Sequence, residues 1–198
     1  MVNSLITDIK IRWEAIAEDS WLRQIPALQG LVHLAFTGHL TIFTGENGSG
    51  KSTLLEAMAI AAGFNPEGGT RNYHFATRDS HSSLHQALTL IRRPPMLRGG
   101  YFLRAESFYQ TATMEEAYAD AQHPSKKYHE RSHGESFLAL ADDQFGRPGL
   151  FFLDEPEAAL SWQRQLTLAL MISESIALGS QFIIATHSPL LMAIPGAC

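Results

Sequence analysis

The chain has 198 residues, of which 45% are hydrophobic and 18% are charged, so it is long enough to bury the core of one globular domain. Its net charge of −5 excludes a global basic field, although Arg92, Arg93 and Arg98 form either a local basic patch or a solvated loop. Cys198 is the single cysteine, which excludes an internal disulfide, and no apolar run approaches the roughly 18 residues of a membrane span. We therefore expect a soluble, cytoplasmic protein without membrane insertion.

The first strongly predicted unit is a strand, a glycine-rich loop and a helix. Apolar β-rich residues at 40–44 predict the strand, alanine and leucine at 54–62 predict the helix, and Gly63 is placed to end it. Between them lies a phosphate-binding loop, formed by Gly45, Glu46, Asn47, Gly48, Ser49, Gly50, Lys51, Ser52 and Thr53. Its backbone N–H groups would surround phosphate oxygens, Lys51 would neutralise the β- and γ-phosphates, and the Ser52 hydroxyl would ligate Mg²⁺. This loop predicts a site for a nucleoside triphosphate.

Weaker elements follow in the middle of the chain. Residues 83–91 predict a short helix, 101–105 a strand, and 114–122 an acidic, alanine-rich helix. In the stretch "YHERSHGESFLAL", Ser132 can cap a helix, and Glu135 three residues later completes a capping box. The local pattern alone explains a helix start here and does not explain why His133 and Gly134 accompany it.

Two apolar runs near the end of the chain predict buried strands of a parallel sheet. The first, 150–153, is followed by Asp154 and Glu155, at the carboxyl end of a strand where ligands bind in open α/β sheets. We expect Asp154 to hold Mg²⁺ through its water shell and Glu155 to polarise an attacking water. A long helix is predicted from about 157 to 178. The second strand, 182–185, is followed by His187, which would contact a γ-phosphate.

The order of four motifs, "GENGSGKST", "RSHGESF", "FFLDEPEAAL" and "IATHSP", resembles the ATP-binding-cassette (ABC-type) ATPase superfamily. It is especially similar to small bacterial ATPases labelled AAA-family, which are distant relatives of SMC and RecF-like heads. The resemblance covers about 31–193. It implies an α/β fold, a P-loop NTPase with a mostly parallel sheet flanked by helices. It also implies an ABC-type ATPase head forming a single domain over 1–198, with a small helical lobe inserted at about 111–146.

The resemblance also implies Mg²⁺-dependent ATP hydrolysis, with Glu155 and His187 as catalytic groups. The motif "RSHGE" stands where the family has a leucine-serine-glycine-glycine-glutamine signature, with His133 and Glu135 replacing a glycine and the glutamine. In the family this loop faces the nucleotide of the other subunit. Ser132 and Gly134 are therefore expected to contact ATP across a homodimer.

Other family roles have two candidates or a competing explanation. The glutamine that senses Mg²⁺ and the attacking water corresponds either to Glu106 or to Gln110. Trp21 is either the aromatic that stacks on adenine or a packing residue. Ser161 stands where the loop after the catalytic glutamate usually ends in aspartate.

Three functions fit these motifs. The leading one is an ATPase that forms an ATP-sandwiched homodimer, and the relatives leave a DNA or protein partner open. The first alternative is the ATP-binding subunit of an ABC transporter whose membrane partner is a separate chain. The second is a P-loop kinase for a small molecule, which would leave "SHGE" and His187 without a role.

Overall fold

The computed structural model describes residues 5–71, 82–94, 99–106, 108 and 132–198. Its strands are β1 (Ile6–Ile11), β2 (His33–Ala35), β3 (Leu40–Phe43), β4 (Leu88–Arg92), β5 (Gly99–Arg104), β6 (Gly149–Asp154) and β7 (Gln181–Ala185). Its α-helices are α1 (Lys51–Ala61), α2 (Leu84–Ala87), α3 (His133–Phe145), α4 (Trp162–Ala177) and α5 (Pro189–Met192), with 3₁₀ turns at Trp13–Ala15, Trp21–Gln24, Pro26–Leu28 and Pro156–Ala159. None of the α-helices within these ranges is both long and apolar enough to span a bilayer.

The central sheet is parallel, with strand order β3-β7-β6-β5. Because all four strands run the same way, the phosphate loop after β3 lies at the same sheet edge as the residues that follow β6 and β7. The strand that ends before His187 lies between the phosphate-loop strand and the strand that ends in Asp154. This α/β fold with a parallel sheet confirms the predicted P-loop architecture.

Helices and a second sheet cover the two faces of the parallel sheet. Alternate residues of β6 and β7 point to opposite sides, as the period of a strand requires. On one side Phe152 and Ile183 pack with Met58 of α1 and with the second sheet. On the other side Phe151 and Phe182 stack with ring centroids 4.8 Å apart and pack with α3 and α4. The strands are apolar on both faces because both faces are buried.

The second sheet is antiparallel, with strand order β2-β1-β4. This corrects the prediction of a helix over 83–91, since the helix ends at Ala87 and β4 begins at Leu88. Leu88 pairs with Ile11 and Arg92 with Ile6, so β1 provides the hydrogen-bond partners that turn this segment into a strand. Gln181 joins the two sheets, because its side chain accepts from the Ile6 N–H at 2.7 Å and donates to the Ile6 carbonyl at 3.0 Å.

The predicted helix from about 157 to 178 is two elements. A 3₁₀ turn over Pro156–Ala159 comes first, and α4 begins at Trp162. Leu160 adopts an extended conformation and buries its side chain, and Ser161 takes the extended backbone of an N-cap. The core contact of Leu160 therefore interrupts the helix that the local pattern predicts.

The predicted helix at 114–122 and most of the predicted lobe at 111–146 lie outside the described residues. Helix α3 is the part of that lobe that the structure describes.

Candidate functional site

The phosphate loop has a backbone that side chains other than glycine would strain. Gly50 has φ +99°, and a Cβ atom there would lie 2.0 Å from Cγ2 of Ile25. Both the conformation and the close approach require glycine at this position. The loop then enters α1 at Lys51, so the positive end of a helix faces the loop, as an anion site requires.

Two polar groups of the loop fit a phosphate ligand. Lys51 is 5% exposed, and its ammonium donates to the carbonyl oxygens of Gly45 and Glu46, each at 2.9 Å. These bonds hold the ammonium over its own loop. The Ser49 hydroxyl is buried, and within the described residues it has no hydrogen-bond partner. A buried hydroxyl in this state costs stability, and a phosphate oxygen would satisfy it.

The next feature is the pair of oxygen ligands predicted for Mg²⁺. The Ser52 hydroxyl donates to Oδ1 of Asp154 at 2.7 Å, so the two side chains are in contact. Burial raises the pKa of Asp154, while the hydrogen bond from Ser52 and the charge of Arg104 act in the opposite direction. Hydroxyl and carboxylate oxygens are the ligands that Mg²⁺ prefers, so these residues fit that ion.

A cavity of about 290 Å³ opens beside this pair. Its polar lining includes Ser52, Arg104, Glu106, His133, Asp154 and Glu155. The structure thus gathers residues from β5, β6, α1 and the start of α3 around one space. The same cavity places Glu106 in reach of the site, whereas its alternative Gln110 lies outside the described residues.

Arg104 is a site residue that sequence reasoning missed. It ends β5 directly opposite Asp154 in the sheet register. Its Nη1 donates to Oε2 of Glu56 at 2.7 Å, and its Nε lies 3.6 Å from Oδ2 of Asp154. The guanidinium therefore compensates two buried carboxylates. The sequence signal is a charge at the end of an apolar strand, and its partners emerge only when the strand order is known.

Glu155 occupies an uncommon backbone conformation at the end of β6. Its φ is +47°, and it is the one non-glycine residue with positive φ in the described part of the chain. Its N–H donates to the carbonyl of Ala185 at 2.9 Å. Its Oε1 lies 3.9 Å from Nε2 of His187, so the two residues predicted to act on the γ-phosphate are neighbours. Such strain in a non-glycine residue is found at functional sites.

The signature segment lies at the start of α3, where His133 lines the same cavity. Ser132 is exposed, and both its N–H and its hydroxyl donate to Oε2 of Glu135, at 3.0 and 2.7 Å. The predicted capping contact between these residues is confirmed. Glu135 also pairs with Arg164 of α4 at 3.1 Å.

Gly134 is buried, and the space beside it is filled within its own chain. A Cβ there would lie 2.8 Å from Nη1 of Arg164 and 3.2 Å from the carbonyl of Ala159. The small residue therefore leaves room for the Arg164 side chain of its own chain. A contact of Ser132 or Gly134 with a nucleotide across a dimer stays a prediction.

Trp21 is 57% exposed, so less than half of its surface is used in packing. Large exposed aromatics are available for contact with a ligand or partner. Its assignment to adenine stays a prediction.

Two family models match consecutive parts of this chain. A family model described as "AAA domain" matches residues 22–118. A second, described as "AAA domain, putative AbiEii toxin, Type IV TA system", matches residues 126–193. Together the two matches cover the phosphate loop and the three motifs that follow it.

Two individual proteins are similar to this chain. Antigen peptide transporter 1 of Rattus norvegicus is 27% identical in an alignment 191 residues long, and the match covers 85% of this chain and 26% of the transporter. The chain thus spans about a quarter of the length of that relative. The structure described as "An inward-facing conformation of a putative metal-chelate type ABC transporter" has 14% identity and a TM-score of 0.50. It is matched over 98% of this chain and 77% of its own. At this identity the likeness concerns the fold. The motifs, the geometry and the two family models together support the superfamily of P-loop ATPases of the ABC/AAA type.

Proposed function

We propose that the protein hydrolyses ATP with Mg²⁺ and that its active form is a homodimer closed over two ATP molecules. The observation that carries the proposal is the convergence of Lys51, Ser52, Asp154 and Glu155 at one edge of the parallel sheet. His187 joins them at the end of the intervening strand. This is the donor set that phosphoryl transfer to water needs.

Within a single subunit, the side chains that converge at this edge would have different roles. Lys51, released from its loop carbonyls, would donate to the phosphate oxygens. Ser52 and Asp154 would hold Mg²⁺, which when bound supplies neutralisation of charge on the phosphate oxygens. Glu155 would accept a hydrogen bond from the attacking water and orient it, and His187 would donate to the γ-phosphate.

The dimer provides the role for the signature segment. The start of α3 carries the positive end of a helix and an exposed serine, which together suit an anion. Ser132 and Gly134 would meet the γ-phosphate bound to the other subunit. A two-fold dimer makes both sites equivalent, so each chain supplies one phosphate loop and one signature segment.

The first experiment separates binding from hydrolysis. Lys51→Ala should lose ATP binding, because the triphosphate loses its main positive side-chain contact. Glu155→Gln should bind ATP and lose about 10²–10⁴-fold in turnover, since it keeps the shape of the glutamate and loses the base. It should also accumulate as an ATP-bound dimer in light scattering. Normal turnover in Glu155→Gln would remove Glu155 from the chemistry.

The second experiment tests whether the signature segment acts on the other subunit. Ser132→Arg should bind ATP as a monomer and fail to close, because a long side chain fills the place of the γ-phosphate. An equal mixture of Lys51→Ala and Ser132→Arg chains gives about half mixed dimers, each with one intact site. About a quarter of the wild-type activity should return. Normal hydrolysis by Ser132→Arg at a rate independent of dilution would make Ser132 a helix cap alone.

The second candidate function is the ATP-binding subunit of a transporter with a separate membrane partner. The similarity to antigen peptide transporter 1 over 85% of this chain favours it. Affinity purification from detergent-solubilised membranes distinguishes the two functions. A stoichiometric membrane protein that stimulates hydrolysis would support the transporter, and full activity of the isolated homodimer without it would support the first proposal.

A further inference from the structure

We infer that Glu157 is a positioning residue that fixes the backbone of His187 and so holds the proposed γ-phosphate contact next to Glu155. This inference rests on the proposed function. Glu157 lies in the 3₁₀ turn that follows Glu155, and His187 lies in the loop that follows β7. The two loops belong to adjacent strands of the parallel sheet.

The contact is short and joins a charged acceptor to a backbone donor. The His187 N–H donates to Oε1 of Glu157 at 2.5 Å. The other oxygen, Oε2, is buried and accepts no hydrogen bond within the described part of the chain. The carboxylate thus depends on the His187 amide for its satisfaction. Hydrogen bonds to ionised acceptors are about twice as strong as neutral ones.

A second side chain holds the same two loops together. Gln165 of α4 donates through Nε2 to the carbonyl of Leu160 at 3.1 Å. Its Oε1 accepts from the Ser188 hydroxyl at 2.6 Å. One bond therefore reaches the end of the 3₁₀ segment, and the other reaches the residue after His187. The Gln165 amide therefore links the two loops through α4, whereas the Glu157 carboxylate links them by a direct hydrogen bond.

These bonds close a ring that contains both groups proposed to act on the γ-phosphate. Glu155 is two residues before Glu157, and its Oε1 lies 3.9 Å from Nε2 of His187. The distance between the Glu155 carboxylate and the His187 imidazole is therefore set by the Glu157 bond as well as by the sheet. Misplacement of a catalytic group by about 1 Å can cost about 10²-fold in rate.

The ring also connects the site to the signature segment of the same chain. Ala159, in the same turn as Glu157, presents its carbonyl to Gly134. Any displacement of the turn when a partner closes on α3 would thus reach His187 through Glu157.

The first test uses NMR of the nucleotide-free protein, so its result does not depend on catalysis. In Glu157→Ala the His187 amide proton should move upfield and exchange with solvent at least about tenfold faster, because its acceptor is gone. Glu157→Gln keeps an acceptor oxygen, so the chemical shift and exchange rate of its His187 amide should lie between those of the wild type and of Glu157→Ala. Glu174→Ala, which removes an exposed carboxylate of α4, should leave the amide unchanged. Unchanged protection in Glu157→Ala would overturn the inference.

The second test is a double-mutant cycle on hydrolysis. Glu157→Ala should lower kcat by about 10–100-fold with little change in the KM for ATP. In a His187→Ala background it should have almost no further effect, because the group that it positions is absent. Equal losses in both backgrounds would show that Glu157 acts without His187 and would overturn the inference. If Glu157→Ala fails to fold, Glu157→Gln carries both tests with smaller effects.

The two tests separate failure of this inference from failure of the proposed function. A wild-type protein without ATPase activity would refute the proposed function, and the NMR result would still report on the Glu157–His187 bond. An active wild type with an unaltered His187 amide in Glu157→Ala would refute only the inference.

Discussion

Replacing Arg104 by methionine should remove the cation that lies between two buried carboxylates. Methionine keeps most of the aliphatic length and removes the 2.7 Å bond to Glu56 and the charge 3.6 Å from Asp154. A lost hydrogen bond to a charged group costs about 1.5–3 kcal/mol, and loss of one partner of a buried ion pair costs about 3–5 kcal/mol. The Arg104 side chain is 21% exposed, so some solvent screening remains. We expect a loss of about 3 kcal/mol in the free energy of unfolding.

The assay is urea unfolding of the metal-free protein, followed by circular dichroism. In a thermal melt of the same protein, a loss of about 3 kcal/mol should lower the Tm of a chain of this size by about 6–12 °C. Arg147→Met, at an exposed arginine, is the matched control and should change little. Glu56→Gln should recover part of the loss in the Arg104→Met background, because it removes one uncompensated charge. A loss below about 1 kcal/mol, or an equal effect of Glu56→Gln in both backgrounds, would refute the reasoning.

Three further variants test other parts of the fold and site. Gly100→Ala should lower the free energy of unfolding by more than about 3 kcal/mol in urea, because Gly100 has φ +144° and the new Cβ would lie 2.2 Å from the Leu150 carbonyl. A mild loss would contradict this close contact between the strands. Gly134→Ala should lower the free energy of unfolding by about 1–2 kcal/mol, because the new methyl group displaces Arg164. Wild-type stability would show that Arg164 moves aside without cost. Burial raises the pKa of Asp154, so the folded protein keeps this proton to higher pH than the unfolded chain does. Asp154→Asn should therefore raise Tm in metal-free buffer, by an amount that grows from the ordinary pKa of 3.8 up to the raised pKa and is constant above it. A gain that does not change with pH would exclude this cause.

The parallel sheet and its loops could be predicted from sequence because their signals are local. The phosphate loop combines a strand, fixed glycines and a helix within one short segment, and β3 and α1 lie within a few residues of their predicted bounds. Strands β6 and β7 are short and apolar on both faces, which is typical of a buried strand.

The antiparallel sheet could not be predicted, because its strands depend on partners far away in the chain. The residues Leu88–Arg92 follow a helical turn and take a strand conformation because β1 lies beside them. The alternation in Ile6–Ile11 is interrupted, because Ile6 and Ile9 are both buried and the pairing with β4 shifts register between Ile6 and Asp8. Likewise Leu160 breaks the predicted long helix because the core binds its side chain, and no local pattern reports that contact.

The residues of the candidate site also divide into those that local motifs predict and one that depends on distant partners. Lys51, Ser52, Asp154 and Glu155 were identified from motifs, whose spacing directly reflects the ligand. Arg104 was missed, because its role depends on the register between β5 and β6 and on Glu56 of another element.

Gln181 has a consequence for how the protein unfolds. Its side-chain amide satisfies both backbone groups of Ile6, at the end of β7 opposite to His187. If the antiparallel sheet opened alone, this fully buried amide and the strand of Ile6 would lose their partners together, and each orphaned group costs about 1–3 kcal/mol. The sheet that carries the nucleotide motifs and the sheet that carries none should therefore melt in one cooperative transition. Slow hydrogen exchange at the Ile6 amide would then report the global stability of the molecule.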